Sequence, residues 1–100
     1  MKLKILGHEY EVVDYPANEI PDDDGKINFM TAKLLIKDSC PLDVKQEVLT
    51  HEIVEAINWW GDLKLDHHTI CLLGTFLWGV LKENPEIRNF LWPSNEVNLT

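Results

Sequence analysis

One hundred residues, 45% hydrophobic and 26% charged, make one ordinary globular domain (1–100) and are too few for two. A formal charge of -8 excludes the basic surface that non-specific binding to nucleic acid or to an anionic membrane requires. No apolar run approaches the roughly 20 residues of a membrane span. The opening Met1-Lys2-Leu3-Lys4-Ile5-Leu6 is too short and too charged for a secretion signal, so a cytoplasmic protein is expected.

In chain order, Leu3 and Ile5 alternate with Lys2 and Lys4, Leu6-Gly7-His8 can turn, and Tyr10, Val12 and Val13 continue an extended run. That pattern predicts a β-hairpin. Residues 14–26, with two prolines, Asp22-Asp23-Asp24 and Gly25, have loop chemistry. The aspartate run lacks the ligand pattern of an EF-hand and reads as a solvated loop. Ile27-Asn28-Phe29 and Leu34-Leu35-Ile36 flank Thr31-Ala32-Lys33, which makes either one long strand or a second hairpin.

Asp38-Ser39-Cys40-Pro41 announces a helix, with Ser39 or Cys40 as N-cap and Pro41 in the first turn. The helix is expected over residues 41–60, with Leu49, Ile53, Ala56, Ile57 and Trp60 facing the core and Gly61 ending it. A second helix should start at an Asp66 N-cap and end at Asn84-Pro85, with Ile70, Leu73, Leu77, Val80 and Leu81 as its apolar stripe. The short link over 61–65 makes the two helices antiparallel neighbours. In the tail, Ile87, Phe90, Leu91 and Trp92 are expected to pack and the last few residues to be loose. The four tryptophans, Trp59, Trp60, Trp78 and Trp92, read as core and rim, with one or two as exposed contact anchors. The fold class expected is α+β: a small antiparallel sheet of about three strands on two antiparallel helices.

The chemistry centres on His51-Glu52-Ile53-Val54-Glu55, one residue away from the His-Glu-x-x-His signature of zinc peptidases. Residues four apart share a helix face, so His51 and Glu55 can grip one ion together. A catalytic zinc needs three protein ligands, an open position and a carboxylate nearby that takes a proton from water. Glu52 stands where such sites keep that base. The third ligand is expected from the start of the second helix, at His67 or His68, with His8 a more remote candidate. The alternative for Glu55 is a solvated or salt-bridged residue. Cys40 and Cys71 form no CxxC pair and read as two reduced thiols, a zinc-ligand role for Cys71 being the less favoured alternative.

These residues give the chain a family likeness. The opening Met1–Tyr10, the strand ending Leu34-Leu35-Ile36, Leu49-Thr50-His51-Glu52-Ile53-Val54-Glu55-Ala56-Ile57-Asn58, Leu63-Lys64-Leu65-Asp66-His67 and Leu77-Trp78-Gly79-Val80-Leu81 cover most of the sequence. In them the chain resembles the small zincin-like metallopeptidases of phages and bacterial mobile elements, related to the ImmA/IrrE zincins. The resemblance implies a minimal zincin-like core, with His51 as first zinc ligand, Glu52 as general base, Glu55 in the place of the second histidine, and His67 matching a histidine after the long helix. It also implies a carboxylate ligand from the second helix near Leu73-Gly74-Thr75. Gly74 has no side chain to coordinate with, so either His67 serves instead or the site is incomplete.

The function expected is therefore a zinc-dependent peptidase or hydrolase, Glu52 activating a water on an ion held by His51, Glu55 and His67. Carboxylate ligands also admit Mn²⁺ or Fe²⁺. The partner would be a peptide or protein, with no nucleic acid and no membrane involved; a phage-encoded chain would act in the host cytoplasm. A chain this small leaves little surface for a deep cleft, so activity would need a partner or a dimer. The alternative is an inactive zincin-like phage protein that binds or sequesters a host protein or small molecule.

Overall fold

A computed structural model describes residues 1–16 and 24–93. Strands β1 (Lys2–Ile5) and β2 (His8–Tyr15) form the expected hairpin. Its turn holds Leu6 at φ 49° and Gly7 at φ 83°. Two consecutive left-handed residues match the twist of the flanking strands, and glycine takes such a φ without steric cost. Strands β3 (Gly25–Asn28) and β4 (Lys33–Lys37) form a second antiparallel hairpin rather than one long strand. Asn28 closes it: its Oδ1 accepts the N–H groups of Met30 at 3.0 Å and Thr31 at 3.1 Å.

The sheet order is β1-β2-β4-β3, with β2 and β4 parallel. The α+β class holds, while the sheet has four strands and is mixed where an antiparallel one of about three was expected. The burial pattern gives the reason. β4 carries two buried apolar residues, Leu34 and Ile36, whereas β3 carries only Ile27. The more apolar strand takes the inner place, and β3 takes the edge. Leu34 lies in register between Val12 and Ile27 and is fully buried. Burying such a side chain contributes about 1.5–3 kcal/mol. Of the aspartate run, Asp22 and Asp23 lie outside the described residues, as does the end of the tail from residue 94.

Helix α1 (Leu42–Gly61) covers the apolar face of the sheet. Pro41 is its N-cap residue, and no side chain caps it, so neither Ser39 nor Cys40 does that work. Asp62, at φ 49°, makes the left-handed exit one residue past the expected Gly61. Ala56, Leu49 and Ile53 pack against the sheet core, as their spacing predicts, but Ile57 is half-exposed. Trp60 stays at the rim, where its Nε1–H donates to the buried Tyr10 hydroxyl at 2.6 Å. That bond is worth about 1 kcal/mol net, and it satisfies a polar group with no access to water.

Helix α2 (His67–Glu83) lies on the other side of α1, so the layers run sheet, α1, α2. It is antiparallel to α1: Leu65 N–H, just before α2, reaches Asn58 Oδ1 near the end of α1, while Thr75 further along donates to Glu47 near its start. Asp66 caps α2 as expected, accepting the Thr69 N–H at 2.7 Å. That hydrogen bond holds its carboxyl below the ordinary value.

The contact face of α2 differs from the expected stripe. Ile70 and Gly74 are buried, whereas Leu73, Leu77 and Val80 are exposed. A Cβ on Gly74 would stand 2.9 Å from His51 Cα and 3.2 Å from its backbone nitrogen. The helices touch backbone to backbone at this residue, and that fixes which face of α2 turns inward. The short α3 (Pro85–Leu91) follows. Ile87, Phe90, Leu91 and Trp92 are all exposed, so the expected packing of the tail is not found. The tryptophans are rim residues rather than core: Trp59, Trp60 and Trp92 are exposed and Trp78 is half-buried. Among the described residues no helix is long and apolar enough to cross a membrane.

Candidate metal centre

The site is built from two half-sites on facing helices. On α1, His51 and Glu55 stand one turn apart, with His51 Nε2 3.7 Å from Glu55 Oε1. Glu52 Oε1 lies 4.0 Å from the same nitrogen. Two carboxylates therefore flank one imidazole nitrogen, an arrangement that attracts a cation. Glu52 is the one buried charged side chain among the described residues, while Glu55 is partly exposed.

On α2 the corresponding pair is His67 and Cys71, also one turn apart, with Sγ and Nε2 separated by 3.4 Å. The antiparallel packing brings this pair over His51. The two imidazole rings meet edge to face, with centroids 5.8 Å apart. Ligand atoms of His51, His67 and Cys71 all lie within 4.8 Å of one another. In a tetrahedral zinc site, bonds of about 2.0–2.3 Å put donor atoms roughly 3.3–3.6 Å apart. The Cys71–His67 separation is already in that range, and side-chain rotation of about 1 Å closes the rest. The donors present fit a zinc ion.

Of the residues expected at the site, the structure brings His51 and His67 together and sets Glu55 beside His51, outside the three-donor group. His68, one residue on, points elsewhere by helical geometry. His8 is stacked on Trp60, with ring centroids 3.6 Å apart. Gly74, read as a vacant ligand position, is the contact that lets α2 approach His51. Cys71 is the donor that the motif argument set aside. The signal for it was available: His67-x-x-x-Cys71 repeats the four-residue spacing of His51-x-x-x-Glu55.

A cleft of about 330 Å³ opens beside these groups. His51, Glu52 and Cys71 line it together with Glu47, Asp24 and Thr75. Thr75 Oγ1 donates to Glu47 Oε1 at 2.9 Å, which fixes one acidic wall. The other cysteine, Cys40, is free like Cys71. Its thiol is pushed above the ordinary value, chiefly by burial and then by Asp24. A raised thiol stays neutral and is a poor ligand and nucleophile.

No family model matches this chain, and no curated protein and no solved structure matches it either.

Proposed function

We propose that this protein is a zinc-dependent hydrolase acting on peptide bonds, with the ion held by His51, His67 and Cys71. The observation that carries the reading is a three-donor group of which two members, His51 and Cys71, line a cleft that a buried glutamate also lines. Three protein donors leave a fourth position free, which separates catalytic from structural zinc sites. Bound zinc would supply a Lewis acid that polarises a carbonyl and acidifies water to a pKa near 7.

The chain's own residues do the rest. Glu52, held in place by burial, accepts a proton from water and returns it to the leaving amine. Glu55, 3.7 Å from His51 Nε2, adds negative charge that favours the cation. The thiolate of Cys71 shifts the preference from Mn²⁺ or Fe²⁺ toward zinc, because soft sulfur favours the softer ion. The acidic cleft walls favour a peptide segment with positive charge.

A second reading is a zinc-holding binder without turnover, and the modest cleft favours it. Metal stoichiometry and hydrolysis of an unstructured peptide test both together. The hydrolase reading expects about one zinc per chain and cleavage that a chelator abolishes and zinc restores. It also expects zinc at a hundredfold excess over its Kd to stabilise the fold by about 2.7 kcal/mol. Zinc with no cleavage of any peptide leaves the binder reading. Absence of zinc overturns both.

A further inference from the structure

We propose that a second cleft, on the flank of α1 away from the metal centre, binds a small organic anion. Lys82 and Arg88 hold its charged head, and Trp78, Leu49 and Leu81 take its apolar body. The cleft has a volume of about 280 Å³. At about 100° per residue, Gln46, Leu49 and Thr50 leave α1 on the side opposite Val48, His51 and Glu52, which line the other cleft. Helix α2 adds Trp78, Leu81 and Lys82, and α3 adds Arg88, the only arginine of the chain.

The charge of the lining points to the guest. Asp and Glu outnumber Lys and Arg by 17 to 9 over the whole chain, yet this cleft has two cations in its wall and no carboxylate. The cleft beside the metal centre is the reverse, with Asp24, Glu47 and Glu52 and neither Lys nor Arg. A cleft lined by one sign of charge between low-dielectric walls focuses its field on a guest of the other sign. Among the described residues neither Lys82 nor Arg88 forms an ion pair; the pairs there belong to Lys2, Lys37, Lys45 and His51. Both charges are available to a guest.

The side chains also set its shape. Lys82 Nζ stands 4.6 Å from the centroid of the Trp78 ring, a cation–π contact that places the ammonium against the indole without neutralising it. A guanidinium grips a carboxylate or phosphate head through two parallel N–H donors. Gln46 adds an amide donor, whereas Thr50 commits its hydroxyl proton to the Gln46 carbonyl at 3.0 Å. Trp78, Leu49 and Leu81 are half-buried and offer apolar surface that a bare inorganic ion cannot use. The volume is at the small end of ligand sites, which start at roughly 300 Å³, and suits one ring or a short chain.

Phenylacetate is the probe, followed through the backbone amide signals of the full chain by NMR. Phenylacetamide keeps the shape without the charge, and acetate keeps the head without the body. Phenylacetate is expected to bind with a Kd of about 1 mM, ordinary for so small a ligand. Its shifts should centre on residues 46–50, 78–82 and 88. Both controls should bind at least about tenfold more weakly, and added salt should weaken phenylacetate alone. Replacing both cations, Lys82→Gln with Arg88→Gln, should weaken phenylacetate about tenfold or more by removing its charge-assisted hydrogen bonds. No saturable binding of phenylacetate overturns the proposal. So does equal binding of either control, or affinity that the double substitution or salt leaves unchanged. Shifts centred on His67 and Cys71 place the anion at the metal centre and overturn it as well.

Discussion

Glu52→Gln is expected to keep zinc and lose hydrolysis by a factor of about 10²–10⁴, the range over which a positioned general base acts. The amide has the shape of the carboxylate, so the helix and its buried environment are retained. What it lacks is the basicity to take a proton. Glu52 is buried yet lines the cleft, so it is screened from bulk water on one side and open to a substrate on the other. Activity of the variant near that of the wild type, at equal zinc content, removes Glu52 from the chemistry. Glu55→Gln is the informative comparison. Its carboxylate is 3.7 Å from the His51 nitrogen and outside the three-donor group. If Glu55 acts through its charge beside His51, the loss appears in zinc affinity, about 10–100-fold, and much less in turnover of the loaded protein.

The second large effect lies at a residue with no chemistry of its own. Gly74→Val is expected to destabilise the fold by about 2–3 kcal/mol, at the upper end for overpacking a tight contact. The Cβ of the new side chain would press on the backbone of His51, not on a side chain that could turn away. Relief requires α2 to move off α1. That motion separates His67 and Cys71 from His51, so zinc affinity should fall in the same variant. Gly79→Ala is the control on the same helix. It meets nothing within 4 Å and should stabilise by about 0.5–1 kcal/mol, through helix propensity alone. Equal responses at the two glycines would show that the helices do not meet at Gly74. Urea denaturation with and without zinc reads both effects.

Gly74 also shows where sequence reasoning stopped. The helix bounds were legible to within a residue or so, because Pro41, Asp66 and Asn84-Pro85 carry their own capping and breaking chemistry. The first hairpin was legible from its alternation and its Leu6-Gly7 turn. The inward face of α2 was not. A helix whose apolar residues spread over most of its circumference has no single stripe to read, and here a glycine decides which side is buried. The parallel pairing of β2 with β4 was hidden for a similar reason, since it depends on which of two strands takes the inner place.

The same limit applied at the site. His51, Glu52 and Glu55 lie on one helix, where spacing alone gives their geometry. Cys71 joins them only through the antiparallel register of α1 and α2, which is a property of packing. The spacing from His67 to Cys71 could have raised it as a candidate, but only the register places it opposite His51.

X-ray absorption at the zinc edge, on the zinc-loaded wild type and on Cys71→Ser, tests the centre most directly. A site on His51, His67 and Cys71 predicts one sulfur at about 2.3 Å and two imidazole nitrogens at about 2.0–2.1 Å, with the sulfur signal absent from the variant. A wild-type spectrum with only nitrogen and oxygen neighbours, or one that Cys71→Ser leaves unchanged, would contradict it.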